Sequence, residues 1–76
     1  NMEQYHIFQL KFTYNHIKDI DTEIRNQKIR IIKKDYQTDV TYQIALKNIT
    51  QINTFKEKFQ NQINIQSLGE KFLEKQ

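Results

Sequence analysis

The sequence predicts an α+β sandwich: a four-stranded antiparallel sheet with two helices packed on one face. Three observations carry this. Residues 28–47 (KIRIIKKDYQTDVTYQIALK) read as two β-runs joined by a short polar turn. Two further stretches, residues 17–24 and 49–59, repeat apolar residues at helical spacing. A β-run stands ahead of the first helix and another behind the second, so the order is βαββαβ.

Taken in order, the first strand is expected over residues 5–13 (YHIFQLKFT), with Phe8, Leu10 and Phe12 on one face and Tyr5, Ile7, Gln9 and Lys11 on the other. Asn15 is positioned to cap a following helix. Ile17, Ile20 and Ile24 form that helix's apolar stripe, Lys18, Asp19, Glu23 and Arg25 point away, and Asn26-Gln27 ends it. In the hairpin, Val40, Tyr42, Ile44 and Leu46 alternate with Thr41, Gln43, Ala45 and Lys47. A turn at Tyr36-Gln37-Thr38-Asp39 sets Ile31 opposite Ile44 and Ile29 opposite Leu46, and a slip of one residue would turn the apolar set to water. Asn48 or Thr50 caps the second helix, whose stripe is Ile49, Ile52, Phe55 and Phe59. Ile63 and Ile65 open a last strand reaching to about residue 73, and Gly69 inside it predicts a bulge or bend.

Two helices with one stripe each cover one face of such a sheet in the split βαβ, ferredoxin-like arrangement. Right-handed crossovers then put the first and third strands in the centre. The expected core is Phe8, Leu10, Phe12, Ile17, Ile20, Ile24, Ile29, Ile31, Val40, Tyr42, Ile44, Leu46, Ile52, Phe55, Phe59 and Ile65. The second face of the sheet has no helix to cover it.

Composition narrows the functions. The 76 residues make one small domain with a core near the lower limit for independent folding. Cys is absent, which removes disulfides and thiolate metal sites and suits a reducing, cytoplasmic setting. No run has the length to cross a bilayer. A net charge of +3 permits an anionic partner without requiring one. His6 and His16 lack the Cys or carboxylate neighbours of a metal site, and Asp35 and Asp39 flank a turn, where carboxylates bond backbone N–H groups. No nucleophile, base and orienting group stand in the pattern catalysis needs, so neither an enzyme nor a bound cofactor is expected.

Many functions share this fold, so function rests on the open face. An RNA-recognition module stacks bases on aromatics of both central strands, but the third strand offers Thr41, Gln43, Ala45 and Lys47 there. An acyl-phosphate hydrolase of this shape needs an anion cradle after the first strand, and Thr13-Tyr14-Asn15-His16 contains no Gly for it. A small-ligand regulatory domain has no positive sign in the sequence. In this register, the open face carries Lys11, Lys28, Arg30, Lys34 and Lys47, with Tyr5 and Ile7 beside them. Flexible cations on a flat sheet suit phosphate contacts that fix position without reading sequence. Lysines are also ordinary on a solvated face and on edge strands, where they deter aggregation.

The run I-I-K-K-D-Y-Q-T-D-V-T-Y-Q-I-A-L, with Tyr14 before it and Phe55 after it, resembles the C-terminal domain of the YigZ/IMPACT-like proteins. Asp35-Tyr36-x-x-Asp39-Val40 is its most specific piece, and the likeness spans about residues 5–73. The resemblance implies a C-terminal piece of a two-domain protein, preceded by a larger α/β domain of ribosomal-protein-like fold; the opening Asn1-Met2 reads the same way. It implies a likeness to ferredoxin-like domains of elongation factor G, and by that analogy nucleic-acid binding. Relatives sharing the N-terminal domain act in translational control through protein contacts. The family's functional residues lie mostly in that other domain, so none transfers here. The family often has Gly where this chain has Gln37, which puts the turn in question, because a non-Gly residue at positive φ costs about 1 kcal/mol.

Two readings follow. In the first, the chain is an accessory domain of a cytoplasmic, translation-associated protein that contacts RNA or the ribosome. Lys11, Lys28, Arg30, Lys34 and Lys47 hold phosphates, and Tyr5 stacks on a base. In the second, it is an interaction or dimerisation module whose open face docks on its own N-terminal domain or a partner, with Tyr5, Ile7 and Ile32 as apolar anchors. The oligomeric state is open in both.

Overall fold

The first strand sits inside the sheet, flanked by strands from the middle and the far end of the chain. In the computed structural model, which describes all of residues 1–76, β1 (Met2–Phe12) lies between β3 (Val40–Leu46) and β4 (Ile63–Glu74). With β2 (Arg30–Tyr36) at the far edge, the order is β2-β3-β1-β4, all neighbours antiparallel. Helices α1 (Ile17–Asn26) and α2 (Ile52–Phe59) cover one face. This is the expected ferredoxin-like α+β sandwich, with the first and third strands central.

One cluster fills the space between sheet and helices: Phe8, Leu10 and Phe12 from β1, Val40, Tyr42, Ile44 and Leu46 from β3, and Ile20, Ile24, Ile52, Phe55 and Phe59 from the helices. Ile63 joins them, a residue absent from the expected core, while Ile17, Ile29, Ile31 and Ile65 pack at the margin. The Phe12 and Tyr42 rings meet edge-on at 5.0 Å. The Tyr42 hydroxyl donates to Asp21 Oδ1 at 2.7 Å, tying the sheet to α1. Burial first, and the Asp21 carboxylate and Tyr36 phenol beside it, push the Tyr42 phenol far above its ordinary value.

Glu23 is the one buried charged residue, 5% exposed. It accepts from Lys58 Nζ at 2.6 Å and from Gln27 Nε2 at 2.7 Å, so it joins the two helices. Burial alone would raise its carboxyl, but these hydrogen bonds and the Lys58 charge outweigh burial and hold it below the ordinary 4.5.

The helix starts differ from expectation in one case. Asn48 caps as expected, its Oδ1 accepting from the Thr50 backbone N–H at 2.9 Å. Asn15 does not: it sits inside a single 3₁₀ turn (Tyr14–His16), its Oδ1 takes the Thr13 hydroxyl, and α1 begins at Ile17 without a side-chain cap. Helix α1 ends in a Schellman turn. The Ile29 N–H reaches Ile24 O at 3.0 Å and the Lys28 N–H reaches Arg25 O at 3.1 Å, with Lys28 left-handed at φ 55°.

Two bulges bend the sheet. Opposite β1, the register shifts between His6 and Phe8, leaving Leu68 and Gly69 against Ile7, with Gly69 at φ 84°; this is the expected glycine bulge. Between β2 and β3 the shift falls between Ile31 and Lys33. Ile31 faces Ile44 as expected, but Ile29 precedes the strand, and beyond Ile32 each β2 residue moves one place, so Lys34 faces Tyr42 and Tyr36 faces Val40. The turn is closed by Gln37 N–H to Asp39 O at 3.0 Å and held by the Tyr14 hydroxyl on Gln37 O at 2.6 Å. Gln37 does not adopt a positive φ, so a non-Gly residue there costs no left-handed strain.

Candidate phosphate-contact face and its cleft

Alternation along the four strands fixes what the uncovered face shows. From β1 come Glu3, Tyr5, Ile7, Gln9 and Lys11; β3 gives Thr41, Gln43 and Ala45, with Lys47 just beyond; β2 gives Arg30, Lys33 and Asp35. Strand β4 adds Asn64, Gln66, Lys71 and Leu73. Five cations thus meet two carboxylates, and a band of uncharged amides and hydroxyls lies between them. The helical layer is balanced by contrast, with Lys18, Arg25, Lys56 and Lys58 against Asp19, Asp21, Glu23 and Glu57. The net +3 of the chain is therefore concentrated on the open face.

Four of the expected cations belong to this side, and one does not. Lys11 lies mid-face opposite Thr41 and Asn64. Arg30 spreads over the Tyr5 ring at 5.6 Å and donates from Nη1 to Glu74 O at 2.7 Å. Lys47 pairs with Glu3 Oε2 at 3.2 Å. Lys28 stands at the rim, in the turn after α1. Lys34 is the correction: the bulge at Ile32 carries it to the helix side, where its Nζ lies 4.8 Å from the Tyr42 ring centre and 4.0 Å from Asp21 Oδ1. The same bulge brings Lys33 onto the open face. The sequence signal was present, since unbroken alternation would have set Lys33 and Asp35 against the core and left Tyr36 outside.

Tyr5 requires a second correction. It is 4% exposed, buried with Ile7 and Ala45 in a small cluster flanked by Ile32 and Leu73. Under the Arg30 guanidinium its ring is no free platform for a base. Nor do Tyr5 and Ile7 stand ready as anchors for a partner, because they already cover one another.

At the end of the face nearest the α1–β2 corner, a cleft of about 540 Å³ opens. Lys28, Arg30 and Lys47 line it together with the amides of Gln27, Asn48 and Gln51, over a floor that includes Tyr5. No group of three His, Cys, Asp or Glu side chains is placed to hold a metal ion. No helix is long and apolar enough to cross a membrane.

Fold and face together define a ferredoxin-like domain with a basic, helix-free sheet surface. No protein-family model and no curated protein matches the chain. The likeness to the YigZ/IMPACT-like C-terminal domain therefore rests on the hairpin motif around Asp35 and Asp39.

Proposed function

We propose that this domain is an accessory module of a cytoplasmic, translation-associated protein of the YigZ/IMPACT-like kind, and that it contacts RNA or the ribosome through the phosphates of the backbone. The observation that carries the reading is the segregation of charge: Lys11, Arg30, Lys33, Lys47 and Lys71 share the helix-free face, while the helices are neutral. Lys11, Lys33 and Lys71 take part in no ion pair and are free to meet phosphates. With Tyr5 buried, the face offers charge and amides but no stacking ring, so binding is indifferent to sequence.

The test is fluorescence anisotropy of labelled single-stranded RNA and duplex RNA over a range of salt, for the wild type and for Lys11→Glu/Lys33→Glu/Lys71→Glu. If about four phosphates are neutralised, log K falls with log salt at a slope of about −3 to −4, and the reversal abolishes binding. Absence of binding at low salt removes the reading. A second reading, a protein-interaction or dimerisation module, is favoured by one feature: Met2 and Phe72 stand exposed on one side of the β1–β4 ribbon, beside the unpaired edge of β4. Binding by that edge would be insensitive to salt.

A further inference from the structure

The cleft beside the α1–β2 corner is more concave than phosphate contact along a strand requires, and its chemistry is more particular. Three cationic side chains line it, with Glu3 its one acidic side chain and Gln76, the last residue, also in its wall. A phosphodiester in a strand carries one charge, whereas a terminal phosphate carries about −1.5 to −2 at neutral pH and presents three acceptor oxygens. The amides of Gln27, Asn48 and Gln51 add neutral donors on the same wall. Glu3 holds one of the cations in place: its Oε2 pairs with Lys47 at 3.2 Å, while its Oε1 is buried away from the cleft.

The backbone fixes where Lys28 stands. Lys28 occupies the left-handed position of the Schellman turn, where Gly is the usual residue and an L side chain is strained. The chain keeps a lysine there, without an ion pair, on the rim of the cleft. Gln60 shares a positive φ, at 39°, but of the two only Lys28 is a cation and only Lys28 lines this cleft.

We infer that this cleft is a terminal-phosphate site that takes the 5′-phosphate of a nucleotide, free or at the end of a nucleic-acid strand, with Lys28, Arg30 and Lys47 on the phosphate. A volume of about 540 Å³ suits one nucleotide. For a strand end, the inference rests on the phosphate-contact reading above, since Lys11 and Lys33 line the approach across the sheet. For a free nucleotide it stands alone.

The test uses the 76-residue chain and a 3′-labelled RNA of about 10 nucleotides, prepared with a 5′-phosphate and with a 5′-hydroxyl. Adenosine monophosphate and adenosine serve as competitors. The 5′-phosphorylated strand is expected to bind about tenfold tighter. Adenosine monophosphate should displace it and adenosine should not. In Lys28→Gly the preference should fall to about twofold while the protein melts at or above the wild-type temperature, because Gly relieves the left-handed strain. Equal binding of the two strands by wild type, or a full preference surviving in Lys28→Gly, overturns the terminal-phosphate site and leaves the face reading standing. Binding of adenosine monophosphate with no binding of either strand supports the cleft and removes the face reading. Binding of none of the three removes both.

Discussion

Replacing Glu23 with Gln takes one charge out of the seam between the helices and leaves the shape of the side chain. Two hydrogen bonds meet that carboxylate, from Lys58 at 2.6 Å and Gln27 at 2.7 Å. Hydrogen bonds to charged groups contribute about 1.5–3 kcal/mol each. The Lys58 side chain is 58% exposed, so solvent screening brings its share down to about 1 kcal/mol or less. With the Gln27 bond also weakened, the loss should be about 2 kcal/mol at pH 7. For a domain of this size that lowers the melting temperature by about 10 °C. The effect has a pH signature. The folded-state pKa of Glu23 lies below the ordinary 4.5, so its contribution is present above that value and is lost as pH falls through the folded pKa. Urea denaturation of wild type and Glu23→Gln should therefore differ at pH 7 and converge in acid. A double-mutant cycle with Lys58→Met should return a coupling of about 1 kcal/mol, reduced by salt. A Glu23→Gln variant as stable as wild type at pH 7, or a deficit that persists undiminished at pH 3, would refute the account.

Three further outcomes follow from the packing. Phe55 is fully buried between α2 and the sheet, and Phe55→Ala should cost about 3–5 kcal/mol, enough in so small a domain to erase the cooperative melt seen by circular dichroism. The raised Tyr42 phenol stays protonated in the native state, so stability is held up to the ordinary value of 10.0 and declines above it; absorbance titration should show one of the four tyrosines ionising only as the protein unfolds, and Tyr42→Phe should restore a simple curve. Gly69→Ala meets no neighbouring atom but must adopt φ 84°, so a loss of about 1–2 kcal/mol by denaturation would report backbone strain alone, and a neutral result would mean that the bulge had rearranged.

The elements that could be read from the sequence are those whose own residues decide them. Ile20, Ile24, Phe55 and Phe59 repeat at helical spacing because one side of each helix is buried, and Gly69 announced its bulge because only glycine rests easily at that φ. The bulge at Ile32 was harder, because no glycine marks it. It is set by the need to bring Tyr36 over Val40 rather than drive Asp35 into the core, a condition that appears only when both strands are considered together. The error over Lys34 follows directly, since one inserted residue sends every later side chain to the opposite face. Burial of Tyr5 was illegible for another reason. Its cover comes from Arg30 and Leu73, partners far away in the chain that no local periodicity connects. The cleft shares that origin, for Lys28, Lys47 and Glu3 meet only after the sheet has closed.

The pairing of β1 with β4, running from Met2 against Glu74 to Phe12 against Ile63, also sets a timetable for the newborn chain. During synthesis, the strand destined for the middle of the sheet emerges ahead of the other three and, until β4 follows, has only β3 to lean on. Its other flank stays open until residues 63–74 have been made. At about 5–20 residues per second, that is an interval of several seconds in which Tyr5, Ile7 and Phe8 lack their final neighbours. Contacts so distant along the chain also slow the search for the native state. The domain should therefore complete its fold only after the stretch encoding β4 has cleared the exit tunnel. A stalled chain that stops short of Gly69 would expose a long, sticky strand to whatever lies near the ribosome's surface.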